Sequence, residues 1–332
     1  MKVIRSEDDV ISSWEQGIDK PVVSICCITY NHEKYIIDAL DGVINQETSF
    51  PFELLIHDDA STDNTAKLIK DYAKNYPKIV KPIFQTENQY SKGLKMNQSF
   101  NFPRAKGRYI ALCEGDDYWV DVKKLQKQYD ILEKYKKINL VVHDAVTSDD
   151  RGKVVRGSWH GSYFRDKIVS VEEVFIVDGQ FAPTASYFFR NKELESLNSY
   201  PEAPVGDFLI EVVLGIDGIY AMSDKMSIYR VGIEGSWTNT ILKEYTSKIN
   251  HYNNMLKTLN RMDVLVPKGK RNYILYKKKS VYYSMAIASL NRDKLQSLLY
   301  FAKSIDIKNL KFKRLILYFY YVLSSLKGAV MK

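Results

Sequence analysis

Cysteine is scarce in this chain of 332 residues, with only Cys26, Cys27 and Cys113 present. All three lie in apolar, strand-like stretches without the spacing of a disulfide framework or a zinc site, so they read as reduced core residues. Long apolar runs are missing as well. The run from Leu315 to Leu323, extended through its serines, reaches about 12 residues, short of the ~20 that a hydrocarbon layer of ~30 Å requires. The first twenty residues are rich in Asp, Glu and Ser and hold no apolar segment behind basic residues, so no secretory leader is expected and a cytoplasmic location is. No Ser-His-Asp or Cys-His nucleophile stands out, and no nucleic-acid-binding motif accompanies the basic residues, so nucleic acid is not an expected partner.

What is present suits an ordinary globular protein. With 45% hydrophobic and 13% aromatic residues, the chain can bury a substantial core and is long enough for one large or two modest domains. The net charge of +8 is unevenly placed. Residues 243–332 carry about 19 Lys and Arg against about 4 Asp and Glu, a local charge of roughly +15 that leaves the preceding residues at roughly −7. The first 240 residues are therefore expected to form one domain, and residues 241–332 a basic region dominated by helical periodicity and tyrosines.

Strands and helices alternate through the first part. Val22 to Thr29, Phe52 to His57, Ile79 to Gln85 and Arg108 to Cys113 are short β-rich runs, while Glu33 to Ile44, Thr62 to Asn75 and Lys123 to Tyr135 have helical spacing. Ser61 or Thr62 is the expected N-cap of the second helix. This order predicts an α/β fold with a mostly parallel sheet, helices on both faces and ligands outside the carboxyl ends of the strands. Four polar clusters fall there: Thr29-Tyr30-Asn31, Asp58 to Asp63, Glu87-Asn88-Gln89 and Glu114 to Asp117. In the last of these, Asp116 and Asp117 follow a buried strand side by side. Adjacent anions repel, so a divalent cation, carrying a phosphorylated ligand, is the compensation they call for.

Thr29-Tyr30-Asn31, Asp58-Asp59-Ala60-Ser61-Thr62-Asp63, the stretch from Ala105 to Asp117, and Gly206-Asp207-Phe208 together resemble the motifs of family 2 glycosyltransferases of the bacterial surface-polysaccharide type. The resemblance covers roughly residues 21 to 240 and implies the GT-A fold, a Rossmann-like sheet flanked by helices, with a nucleotide-sugar half at about 21–120 and an acceptor half at about 121–240. It implies that Thr29, Tyr30 and Asn31 line the base and ribose of the nucleotide. Asp58 and Asp59 would hold the nucleotide, UDP favoured, with Asp59 accepting from the uracil imide; a turn that merely caps the next helix is the plain alternative. Asn88 and Lys92 would belong to a lip over the nucleotide. Asp117 would coordinate Mg²⁺ or Mn²⁺ directly, with Asp116 beside it, and Tyr118 and Trp119 would close the floor behind them.

Asp207 matches the family's catalytic carboxylate, the base that deprotonates the acceptor hydroxyl, and it is equally well placed to cap its helix; Glu211 is the fallback base. Arg230 and Trp237 are candidates for the diphosphate and sugar. Two departures from the family pattern stand out. Ala60 replaces a common glycine, and Gly232 stands where many relatives have a histidine, which leaves open whether a third protein ligand reaches the metal. His143 reads as a core histidine, and Ala182 to Ser186 as part of the acceptor wall.

The expected activity is therefore metal-dependent, inverting transfer from a nucleotide sugar to a glycan or lipid-linked acceptor in surface-polysaccharide synthesis. Basic residues beside an aromatic-rich helix suit the anionic inner leaflet, so peripheral membrane contact is expected, with internal helix packing as the alternative. A sugar-phosphate nucleotidyltransferase is the rival enzyme class, but its glycine-rich loop is absent from Tyr30-Asn31-His32-Glu33-Lys34. A non-catalytic glycan- or membrane-binding protein is the rival outside enzymes.

Overall fold

The computed structural model describes residues 4–177, 179–201, 203–204, 206–233, 244–263, 266, 269, 271–305 and 318. In chain order the elements begin α1 (Glu7–Ser12), β1 (Val23–Thr29), α2 (Ile36–Ile44), β2 (Phe52–Asp58), α3 (Thr65–Asn75), β3 (Val80–Phe84) and β4 (Tyr109–Leu112). They continue with β5 (Tyr118–Trp119), α4 (Lys124–Lys134), β6 (Leu140–Ser148), β7 (Val154–Arg156), β8 (Lys167–Val169) and α5 (Val171–Ile176). Next come β9 (Phe188–Arg190), α6 (Leu194–Leu197), α7 (Gly206–Leu214) and β10 (Ile219–Arg230), followed by α8 (Tyr245–Met262), α9 (Arg271–Ser289) and α10 (Lys294–Ser304). The described residues form two compact units, one of residues 1–171, 180–199 and 206–234, the other of 172–179, 200–205 and 235–332.

The first unit holds a sheet of ten strands in the order β3-β2-β1-β4-β9-β6-β10-β5, with β7 beside β6 and β8 beside β10. From β3 to β4 every pairing is parallel, as the strand-helix alternation requires. Beyond β4 the sheet is mixed. Strand β9 runs antiparallel between β4 and β6, whereas β10 pairs with β6 in parallel. Strands β1 and β2 are buried along nearly their whole length, which is why they read as continuous rather than alternating apolar runs. The three cysteines are free and buried, as their apolar settings predict.

Two local features set the position of the site. At Gly42 on α2 a Cβ would lie 2.7 Å from the Trp119 carbonyl oxygen, so only glycine lets this helix approach the strand that leaves the acid pair. Strand β10 shifts register twice against β6, between Met222 and Lys225 and again before Ser227. The added twist carries its last residues to β5, where Ser227 and Ile228 pair with Trp119 and Tyr118.

The second unit contains α8, α9 and α10, with α9 packed against both neighbours. Ala286, Leu290, Phe301 and Tyr318 form its apolar cluster, in which the rings of Phe301 and Tyr318 stack 3.8 Å apart. Lys277 is buried and donates to the carbonyls of Val177 (2.7 Å) and Gly179 (3.2 Å), so this member of the basic run serves packing within the unit. Lys311, Lys313 and Arg314 lie outside the described residues.

Candidate active site

The loops after β1 and β2 are laced together at the carboxyl edge of the sheet. The backbone N–H of Asn31 donates to Ser61 Oγ (2.9 Å), and Asn31 Oδ1 accepts from the N–H of Thr62 (2.8 Å). Asp58 Oδ1 accepts from Ser61 Oγ at 2.5 Å, and burial raises the Asp58 carboxyl above its usual range. Ser61 and Thr62 are thereby occupied, and neither caps α3. The N-cap is Asn64, whose side chain makes no capping bond, while Asp63 accepts from the N–H groups of Thr65 (2.9 Å) and Glu33 (3.0 Å). The expected cap is corrected on that ground.

Asp59 is buried, and its two carboxylate oxygens accept from the N–H groups of Gln89 (2.8 Å) and Tyr90 (3.0 Å). It therefore pins the turn at Gln89 and Tyr90 to the loop after β2, and a carboxylate with about four lone-pair sites keeps acceptor capacity for a ligand. Asn88 caps the same turn through Ser91 N–H (2.7 Å), and Lys92 pairs with Glu87. Exposed pairs of that kind are weak, so Lys92 stays available to an anion. Thr29 Oγ1 is buried without a partner, and Tyr30 is 40% exposed with its ring open to a ligand.

Ala60 takes the left-handed conformation that the family's glycine would occupy, with φ at 64°. The Cβ clash there costs about 1–2 kcal/mol, part of which glycine gives back through its freer unfolded state. Ala60→Gly is expected to raise stability by about 0.5–1 kcal/mol in urea unfolding. A loss of stability would mean that the Ala60 methyl group packs favourably.

The acid turn sits against the end of β1. A Cβ on Gly115 would lie 2.8 Å from Thr29 Cβ and 3.0 Å from His32 Nδ1, so glycine is what lets Glu114 to Asp117 close on that strand. Asp117 is 1% exposed; its Oδ1 accepts from the N–H of Arg230 (2.9 Å) and its Oδ2 is buried with no partner. Burial, and then the neighbouring Asp116, raise its carboxyl well above the usual range. Burial and the charges of Asp207, Asp116 and Asp117 do the same to Glu114. Tyr229 is raised by burial and by the same acids. The charges of Glu114, Asp116, Asp117 and Asp207 thus bear on one another, a negative field that a cation would relieve.

Arg230 lies beneath this site. Its Nη1 donates to the Asp116 carbonyl (2.7 Å), its Nη2 pairs with Asp38, and its guanidinium lies 4.4 Å from the Tyr118 ring centre. With its side chain 8% exposed, it locks the acid turn to β10 and α2. Trp119 is buried as the floor, its indole N–H donating to the Ala185 carbonyl (2.9 Å). Buried Lys124 lies over the Trp119 ring at 4.0 Å. Trp237 lies outside the described residues.

The partnerless Asp117 Oδ2 and the carboxylate of Asp116 fit a divalent ion. Among the described residues no cluster of three or more His, Cys, Asp or Glu side chains could hold one alone. An ion here would therefore complete its shell with phosphate oxygens and water, the usual arrangement for Mg²⁺.

Asp207 lies in the first turn of α7, and its Oδ2 accepts from Thr184 Oγ1 (2.9 Å) and Gln180 Nε2 (3.1 Å). Burial pushes its carboxyl up to about 6, against the opposing pull of the Thr184 hydroxyl. Glu211, the fallback base, is corrected. It is fully buried, and its carboxylate accepts from the N–H of Ala182 (2.9 Å) and the Tyr187 hydroxyl (2.6 Å), which makes it a clamp on the Phe181 to Tyr187 segment. His143 is buried in β6 with Nδ1 2.7 Å from the Asp144 carbonyl, a core histidine as expected.

Several participants escaped the sequence reading. His32 Nε2 stands 3.9 Å from Asp116 Oδ2. The sequence signal of Glu114 is its membership of a polar cluster and the Glu-x-Asp-Asp spacing. Gln180, Thr184 and Trp159 carry no local signature, because only the tertiary fold brings them to Asp207 or its neighbours.

Comparison with known proteins agrees with this geometry. The profile described as Glycosyl transferase family 2 matches residues 24–190, half of the chain. An uncharacterised protein of Mycobacterium tuberculosis is 34% identical over 220 residues, covering 65% of this chain and 60% of that protein. TarS residues 1–349 from S. aureus, solved with UDP-GlcNAc, superposes with a TM-score of 0.54 at 16% identity over 92% of each chain. A mannosyltransferase from Pyrobaculum calidifontis, solved with GDP-Man and Mn²⁺, gives 0.53 at 15% identity over 94% of this chain and 87% of its own. At such identities the two structures speak to fold alone, and both have the GT-A architecture found here. With the acid turn and the loops after β1 and β2 inside a matched span that covers half of the chain, the chain belongs to glycosyl transferase family 2.

Proposed function

We propose that this protein moves a glycosyl group from a nucleotide sugar, with UDP favoured, to a hydroxyl of a glycan or lipid-linked acceptor in surface-polysaccharide synthesis, with inversion at the anomeric carbon. The observation that carries this reading is the buried, partnerless Oδ2 of Asp117 beside Asp116 in the turn after β4, with the charge of Asp207 from the start of α7 bearing on it. A divalent ion held by Asp117 and Asp116 would neutralise charge on the departing diphosphate. Asp207 takes the acceptor proton as the acceptor oxygen bonds to the anomeric carbon and the bond from that carbon to the diphosphate breaks. Attack from the side opposite the leaving group inverts the centre. Tyr30 offers a ring face to the base, and Asn31, Asp58 and Asp59 hold the loops that frame it.

The test is a panel of nucleotide sugars scored by thermal shift with Mn²⁺, followed by release of the nucleotide. Stabilisation by one UDP-sugar, removed by EDTA, is the expected result. If no nucleotide shifts melting with or without metal, the transferase reading falls.

The helical unit supports a membrane-surface location for such an acceptor. On α10, Leu295, Leu298 and Leu299 are 69%, 54% and 50% exposed while Ser297 and Phe301 face inward. No described helix is long and apolar enough to cross a membrane. Leucines on one face of a helix within a strongly basic region fit insertion into the boundary of an anionic leaflet. Flotation with phosphatidylglycerol vesicles is expected to weaken with salt and to drop at least several-fold in a Leu298→Glu, Leu299→Glu double variant. Equal flotation of both proteins would assign the face to packing.

A further inference from the structure

Both hydrogen bonds that Asp207 accepts from the described residues end on the same oxygen, Oδ2, from Thr184 Oγ1 at 2.9 Å and Gln180 Nε2 at 3.1 Å. Oδ1 accepts none from the described residues. The two donors are themselves tied, since Gln180 Nε2 lies 3.2 Å from Thr184 Oγ1 and 3.3 Å from the Tyr187 hydroxyl. Thr184 is buried in a short 3₁₀ turn entering β9.

Gln180 is held from its other end. Its carbonyl accepts from the indole N–H of Trp159 at 3.3 Å. The backbone N–H of Trp159 donates to buried Asp144 (2.7 Å), and its ring meets Tyr229 edge-on with centres 4.8 Å apart. A chain of contacts thus runs from β6 and β10 through Trp159 and Gln180 to Asp207.

We propose that Gln180 and Thr184 are positioning residues that clamp Asp207 Oδ2 and thereby commit Oδ1 to receiving the acceptor proton, with Trp159 fixing Gln180. This rests on Asp207 being the base. A carboxylate fixed by two donors on one oxygen cannot rotate, so the free oxygen has one direction for its lone pairs, which is the pre-organisation a base needs. The same donors stabilise the anion, so removing either raises the affinity of Asp207 for a proton. The other titratable groups bearing on it are Glu114 and Asp117 from the acid turn, Glu211 on its own helix, and the hydroxyls of Tyr187 and Tyr229. None of these changes in the test.

The test uses the full chain and Thr184→Val, Thr184→Ser, Gln180→Leu and Asp207→Asn. The Asp207 carboxyl band is identified in pH-difference infrared spectra by its absence from Asp207→Asn. Its midpoint is expected to rise by about one pH unit in Thr184→Val and in the same direction in Gln180→Leu, and to return in Thr184→Ser. Release of UDP from UDP-GlcNAc with Mn²⁺, with water as acceptor, is expected to fall about fivefold more at pH 6 than at pH 8.5 in Thr184→Val. An unmoved midpoint in variants that melt like the wild type, or an equal loss at both pH values, would overturn the clamp. Near-normal turnover by Asp207→Asn would remove the base assignment beneath it, a separate outcome.

Discussion

Exchanging Asp117 for asparagine is expected to abolish the metal-dependent part of UDP binding, a loss of about 100-fold or more in calorimetric titrations with Mn²⁺ compared with EDTA. Asparagine keeps the carbonyl oxygen that accepts from the Arg230 N–H, so the link between the acid turn and β10 survives. What disappears is the negative charge on an oxygen that the protein buries without a donor. Metal-free stability should move the opposite way. Asp117 is held with its proton affinity raised by burial and by Asp116, so its ionised form opposes folding near neutral pH, and the neutral amide relieves that repulsion. A higher melting temperature in EDTA together with lost Mn²⁺ dependence marks a residue kept for its ligand. A lower melting temperature and unchanged UDP affinity would make Asp117 a structural anion.

The first four strands and the loops after them were legible because their signals are local. Each parallel strand is a short apolar run, each polar cluster follows directly, and β1, β2, β3 and β4 fall within a residue or two of the runs marked in the sequence. The acid pair announced itself because two carboxylates after a buried strand have few uses. The later part of the sheet was harder to read for a physical reason. Strand β9 has three residues, too few for a periodic signal, and its antiparallel pairing with β4 and β6 joins segments far apart in the sequence. Glu211 and Asp207 lie one helical turn apart, yet one is saturated by donors from the Phe181 to Tyr187 segment and the other has an oxygen that accepts nothing from the described residues. The same holds for Arg230, a phosphate ligand by its type, whose guanidinium is directed to Asp38 and the Asp116 carbonyl by the bulged end of β10.

Asp207→Asn is expected to leave UDP and metal binding intact while lowering turnover by about 10²–10⁴-fold, the usual contribution of a positioned base. The amide has nearly the same shape and can keep accepting from Thr184 and Gln180 through its oxygen, but it cannot take a proton. In the wild type, kcat/KM should fall on the acid side with a midpoint near the value of about 6 to which burial pushes this carboxyl. The direction follows from the role, since only the anion accepts the acceptor proton, so activity is present above the midpoint and lost below it. The folding linkage runs in the reverse sense. A carboxyl that binds its proton more tightly folded than unfolded makes the protein lose stability as pH rises from about 4 to about 6, because over that window the folded state holds more protons. Asp207→Asn removes that decline, so at pH 7 the variant should melt at or above the wild-type temperature while being nearly inactive. Lost turnover accompanied by a lower melting point and weaker UDP binding would instead make Asp207 a helix cap whose removal unsettles α7.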